Sequence, residues 1–200
     1  MSQYLVLIYG TDKLNDPGQA EPILQKMITA DPSDPANYFQ LATLYENAGV
    51  PDEAERVFMM AKQAKPNDPV VYTTLAAYYN RQGQFDKTIA ALEERASKDP
   101  NNPEAYHTIA SYYWDEASKD TKLRDNEKKD YVLKGIKAAD RALSIKNDYG
   151  DAMVFKGLLL RQQALLEKDP KIQQQLLKDA NDLRDKAEDI RKKKASGVGN

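Results

Sequence analysis

Apolar and polar positions in this chain recur with two periods at once. Over short stretches the apolar residues fall at i, i+3, i+4 and i+7, as Tyr38, Leu41, Ala42 and Tyr45 do. That spacing lines one face of an α-helix. Over longer stretches the pattern repeats every 34 residues, counted from Pro35 to Pro69. Tyr38 then falls over Tyr72 and Tyr106, Ala42 over Ala76 and Ala110, and Tyr45 over Tyr79 and Tyr113. Leu41 aligns with Leu75, Gly49 with Gly83, Phe58 with Leu92 and Pro66 with Pro100. A fixed period of this length is the mark of a helical repeat, in which each unit borrows an apolar wall from the next.

Each copy reads as helix–turn–helix. Asp34-Pro35, Asp68-Pro69 and Asn102-Pro103 supply a capping side chain followed by proline at the first helical position. Gly49 and Gly83 suit left-handed helix ends. The second helices carry Ala54, Val57, Phe58 and Ala61, then Ile89, Leu92 and Ala96. Running the period backwards gives a degenerate first copy, with a helix from Gln3 to about Leu14 and its partner from Gln19 to Ala30. That first helix is apolar nearly all round, so upstream chain or a second copy is expected to cover it. The third copy meets its next equivalent 47 residues on, at Tyr149-Gly150-Asp151-Ala152. The excess lies between Trp114 and Gly135 and predicts two helices each longer by roughly two turns, with a polar bend near Asp120–Asn126. Its apolar side is expected to bury on Leu158–Leu166. Asp169-Pro170 then opens a long last helix with its seam at Ile172, Leu176, Ala180, Leu183, Ala187 and Ile190.

The aromatic residues at 38, 72 and 106, the Leu-Ala pairs at 41–42 and 75–76, and the tyrosines at 45, 79 and 113 resemble the first-helix signature of the tetratricopeptide repeat family. Ala54, Phe58, Ala61 and Pro66 are similar to its second-helix pattern. Ile8, Thr11, Thr88, Arg95, Gly135 and Ala139 depart from it and are expected to weaken individual repeats. The resemblance implies an all-α, right-handed α-solenoid of about four helix–turn–helix repeats, the last two with lengthened helices. It spans residues 1–195 as one domain, with repeats at about 1–34, 35–68, 69–102, 103–149 and 150–195 and a disordered tail at 196–200. It also implies a non-catalytic scaffold that binds a protein or peptide in the concave groove of its first helices.

Composition narrows the function. Lys and Arg number 29 against 31 Asp and Glu, for a net charge of −2. A nucleic-acid binder needs a basic face, so none is expected as a partner. There is no cysteine, which removes thiol chemistry and cysteine-held zinc. The apolar run Tyr4–Tyr9 is far shorter than a membrane span of about 20 residues. It also lacks the basic flank and small-residue cleavage site of a signal peptide. Cytoplasmic and exported placement both remain compatible with the chain. The carboxylates sit beside Lys or Arg on solvated faces, as in Glu53, Glu55 and Arg56, and no pair lies between apolar walls to do acid–base work. No cofactor, metal or catalytic residue is assigned.

Several residues carry competing readings. His107, the one histidine, is first a structural side chain, since it has no second ligand type in register. Its column, with Phe39, Thr73 and Val154, also points to a contact with a bound segment. Trp114 is first a packing anchor at the base of the extended hairpin, and otherwise an aromatic contact in the groove. The tyrosines at 38, 45, 72, 79, 106 and 113 are core, and the basic run Arg191–Lys194 neutralises a helix C-terminus. The family's carboxylate clamp, which grips an acidic chain end with Lys, Asn and Arg, is not expected. Its columns here hold Phe39, Thr43, Thr73, Thr74, Ala77 and His107, with only Asn80 and Arg81 of a suitable type nearby. The candidate partner-binding groove is therefore Phe39, Thr43, Thr73, Ala77, Asn80, His107, Ser111 and Trp114, with Glu46 and Glu104 at its margins. Two other functions stay open: a self-assembly module, including a homodimer through the apolar N-terminal helix, and a regulatory arm of a larger or exported protein.

Overall fold

The computed structural model describes the backbone of residues 17–196 and the side chains of residues 18–196. The expected helix at Gln3–Leu14 and the end of the expected tail, 197–200, lie outside these residues. Within them all regular structure is α-helical: α1 (Pro17–Ala30), α2 (Pro35–Asn47), α3 (Pro51–Ala64), α4 (Pro69–Arg81), α5 (Phe85–Lys98), α6 (Pro103–Lys119), α7 (Asp125–Ile145), α8 (Gly150–Leu166) and α9 (Pro170–Ala195). The chain divides into two compact units, one ending at Gln84 and one beginning at Phe85.

The helices start where the sequence places their caps. The carboxylates of Asp34, Asp68 and Asp169 and the side-chain oxygen of Asn102 each accept from the backbone amide two residues on, at 2.8–3.0 Å. Proline follows at the first helical position each time, where a missing N–H costs nothing. The turn after α2 is closed by Gly49 at φ +73°, and the turn after α4 by Gly83 at φ +68°. In both, the glycine amide and the amide after it donate back to the two carbonyls that the helix end leaves open, Glu46 and Tyr45 in one case and Asn80 and Tyr79 in the other. A side chain at positive φ would strain that geometry.

In the first unit Ala20, Ala42, Ala54, Ala61 and Ala76 are fully buried, and Leu24, Leu41, Phe58, Tyr72, Leu75 and Tyr78 fill the space around them. Tyrosine hydroxyls are satisfied with the period of the repeat. Tyr38 donates to the Pro32 carbonyl and Tyr72 to the Pro66 carbonyl. Tyr45 donates to Glu21 at 2.7 Å and Tyr79 to Glu55 at 2.9 Å. The glutamates, like the tyrosines, are 34 residues apart, so one side-chain bond ties each first helix to the second helix of the preceding copy.

The second unit carries the long hairpins. α6 has 17 residues against 13 in α2 and α4, and α7 has 21 against 14 in α3 and α5. The extra chain thus adds about one turn to the first helix and two to the second, rather than two to each. A core of Ala110, Ala117, Val132, Ala139 and Leu159 joins α6, α7 and α8, and Trp114, Tyr131, Ile136 and Phe155 pack against it.

Gly135 is not a weak point. A Cβ there would lie 2.9 Å from a Leu159 methyl on α8 and 3.0 Å from the Tyr113 Cβ on α6, so its absence lets three helices meet. Ala139 is equally closed, at 0% exposure. Thr88 and Arg95 are also buried, and Arg95 reaches Glu104 in the first turn of α6 at 3.0 Å. Four of the departures from the family pattern, Thr88, Arg95, Gly135 and Ala139, are thus buried in this unit. The α8–α9 seam holds through Ala180 and Ala187, with Leu176, Leu183 and Ile190 half-buried. Two expectations fail at its end: Leu165 is 81% exposed rather than buried, and Ile172 is 48% exposed. Tyr45 and Tyr106 are half-buried rather than core.

Gly135→Ala is expected to destabilise the second unit by about 1–2 kcal/mol, an overpacking cost of 1–3 kcal/mol less a gain in helix propensity of up to about 1. Urea unfolding monitored by helicity measures it, and an unchanged midpoint would refute the tight crossing.

Candidate functional site

Five of the eight expected groove residues lie in the first unit. Phe39 on α2 is half-buried, its ring 6.2 Å from that of Phe58, while Thr43 one turn on is exposed. On α4, Thr73, Ala77 and Asn80 are half-buried along one side. The Thr73 hydroxyl shares its proton between the carbonyls of Pro69 and Val70, so its polar end stays on its own helix. Thr43, Thr73, Ala77 and Asn80 are short side chains that leave their helix faces open, and Phe39 is the one aromatic ring among the five. Glu46 on α2 accepts two bonds from Arg81 on α4, at 2.9 and 2.8 Å, and a third from Gln82. The Arg81 hydrogen bond holds the Glu46 carboxyl below its ordinary range, against a smaller opposing effect of burial.

The other three lie on α6 in the second unit, and the structure closes them up. His107 packs against the rings of Tyr149, 5.4 Å away, and Phe155, 5.2 Å away. Trp114 also meets Phe155, at 5.7 Å, and rests on the shared core. Ser111 donates to the Thr108 carbonyl one turn back. The seam between α6 and α8 is therefore an aromatic cluster with a histidine in it, and both ring nitrogens of His107 are buried without a hydrogen-bond partner. Burial lowers the His107 pKa from its usual value, and the fields of Asp151 on α8 and Glu104 on α6 pull the other way without reversing it.

Two features of this region were missed in the residue pattern. One is the pairing of Tyr45 with Glu21 and of Tyr79 with Glu55; the repeat of Glu21 at Glu55, both 24 residues before a signature tyrosine, was the available signal. Burial first, then the Glu21 hydrogen bond, pushes the Tyr45 phenol up to about 12. The other is a cavity of about 770 Å³ along α5, α6 and α7, which none of the eight residues lines. Among the described residues no group of three His, Cys, Asp or Glu is placed to hold a metal ion, and no helix is long and apolar enough to cross a membrane.

Family models described as tetratricopeptide repeat match residues 13–78 and 69–112, which together span half of the chain. The chain belongs to the tetratricopeptide repeat family. Solved structures agree on the fold. A crystal structure of MamA is similar with a TM-score of 0.59 at 20% identity, over 91% of this chain and 92% of that one. A MamA chain from Desulfovibrio magneticus RS-1, residue 41 to its end, gives 0.56 at 18% identity, over 96% and 91%. YrrB, described as a TPR protein with an unusual peptide-binding site, gives 0.50 at 14% identity, over 95% and 89%. Comparison with curated proteins finds no match. Arg81, one of the two residues of suitable type near the expected clamp columns, is engaged by Glu46.

The buried His107 gives a pH test. Its pKa is lower folded than unfolded, so the unfolded chain binds the proton more readily. Stability from this site is complete above the unfolded value of about 6.5 and is lost as pH falls from there through the folded value. His107→Leu is expected to lose less stability than the parent between pH 7.5 and pH 5.5 in urea titrations. Equal losses would show that the ring nitrogens are satisfied.

Proposed function

We propose that this chain is a non-catalytic scaffold that binds a segment of a partner protein along the exposed side of its first helices. Thr43, Thr73, Ala77 and Asn80, beside Phe39, form the contact surface of the first unit. His107, Ser111 and Trp114 contribute in the second unit through the aromatic seam that sets the position of α6. The observation that carries the reading is the contrast between the two sides of α2 and α4. One side is closed by Leu41, Ala42, Leu75 and Ala76, and the other keeps short side chains half-buried or exposed. Short side chains let an incoming backbone approach, and a recessed ring offers it an apolar anchor. The likeness to YrrB, described with a peptide-binding site, supports a peptide as the occupant.

Thr43→Arg with Ala77→Arg covers this surface without entering the core. The double variant is expected to keep its helicity and melting temperature and to lose, by tenfold or more, the proteins captured by the parent chain from its source. Capture unchanged by the double variant would refute the surface.

One observation favours a second reading, self-association. Leu165, Ile172 and Leu177 leave 81%, 48% and 37% of their surface exposed around the α8–α9 turn, a concentration of large apolar side chains that water disfavours. Light scattering at tens of micromolar decides it, because a monomer there dismisses the reading.

A further inference from the structure

None of the proposed contact residues lines the cavity along α5, α6 and α7. On α6 its residues are Tyr106, Ile109 and Tyr113, whereas His107, Ser111 and Trp114 point roughly 130° further round the helix, at about 100° per residue. Its floor is aromatic. The rings of Phe85, Tyr113 and Tyr131 touch one another, with centroids 5.5, 4.9 and 5.8 Å apart. Further along, Arg141 lies over the Tyr106 ring at 5.4 Å and donates to the Pro100 carbonyl at 3.0 Å. That carbonyl corresponds to those that Tyr38 and Tyr72 bind in the earlier copies, so the third copy has put a cation where the others keep a phenol.

The two walls carry opposite charge. α7 offers Lys134, Lys137 and Arg141, spaced three and four residues apart so that they share one side. α5 offers Asp86 and Glu93, seven residues apart and likewise on one side. The fields of these carboxylates reach the floor. Burial first, then Glu93, pushes the Tyr113 phenol up to about 12, and Asp86 acts on Tyr131 in the same direction. Lys134 is paired with Asp130 on its own helix at 2.7 Å. Lys137 is exposed. A volume of about 770 Å³ is large enough to seat several apolar side chains.

We propose that this groove is a second docking site, and that it takes an amphipathic helix of a partner protein. The guest presents an apolar or aromatic stripe to the ring floor, carboxylates to the α7 wall and basic side chains to the α5 wall. The charge of each wall is the complement of the edge it meets, and the ring floor supplies the apolar contact that a helix in a groove needs. This site does not depend on the α2 and α4 surface, and it survives if that reading fails.

The test uses the full chain, isotope-labelled, and three synthetic helical peptides of equal length with one shared Leu/Phe stripe. The first carries Glu on one edge and Lys on the other, the second Glu on both edges, and the third Lys on both. The mixed peptide is expected to bind tightest and to shift the amides of Ala90, Ala138 and their neighbours. The exposed pair Lys134→Glu with Lys137→Glu makes both walls acidic. It is expected to weaken the mixed peptide at least tenfold and to make the Lys-edged peptide the tightest. Ala90→Trp, at an exposed position on the α5 wall, is expected to abolish the shifts with melting unchanged. A ranking indifferent to charge reversal, or shifts that map outside these three helices, would overturn the proposal. So would line broadening at these residues that grows with protein concentration alone, which would assign the groove to a second copy of this chain.

Discussion

Alanine at the helix crossings is the constraint on which the fold rests. Ala42, Ala54, Ala61, Ala76, Ala110, Ala117, Ala139, Ala142 and Ala152 have no measurable exposure. A larger side chain at any of them would push two helices apart. The larger residues then fall where the distance has opened: tyrosines at the ends of the first helices, phenylalanine and leucine on the second. Where even alanine is too big the chain uses glycine, at Gly135 against Leu159 and at Gly157, whose Cβ would stand 3.2 Å from the Ala180 carbonyl oxygen. Packing density in such a repeat is set by a few small residues, and the apolar bulk arranges itself around them.

Polar groups are fitted to this frame by the same period. A phenol reaching the carbonyl of a preceding proline, and a second phenol reaching a glutamate on the previous helix, recur at 34-residue steps in the first unit. In the second unit both devices are replaced. Ile89 occupies the position where Glu55 stood one copy earlier, and Tyr113 joins a cluster of rings instead of a carboxylate. Arg141 takes the proline carbonyl. The lengthened α7 supplies Tyr131 to that cluster, so the added turns and the loss of the tyrosine–glutamate bond are parts of one change.

Helix positions, caps and glycine turns were legible in the sequence because each depends on a local rule: Asp or Asn before Pro, Gly after the last turn, apolar residues at helical spacing. The repeat added which helices pair. What was not legible depended on distances between copies. Gly135, Thr88 and Arg95 read as departures from a pattern, because only the folded packing shows that Gly135 lets three helices meet and that Thr88 and Arg95 are buried. Leu165 read as core because it follows the apolar run of α8, yet the helix ends one residue later and turns it outward. His107 and Trp114 were placed on the correct helix, while the rings that close over them, Tyr149 and Phe155, come from a copy whose offset of 47 residues hides the alignment.

The opposed charges of the groove walls have a consequence for polarity. A helix whose two edges differ in sign can lie between Asp86 and Glu93 on one side and Lys134, Lys137 and Arg141 on the other in a single N-to-C direction. Turned end for end, it sets like charges face to face. Side chains on two helices are thereby enough to read the sense of a third chain, with no contact to its backbone.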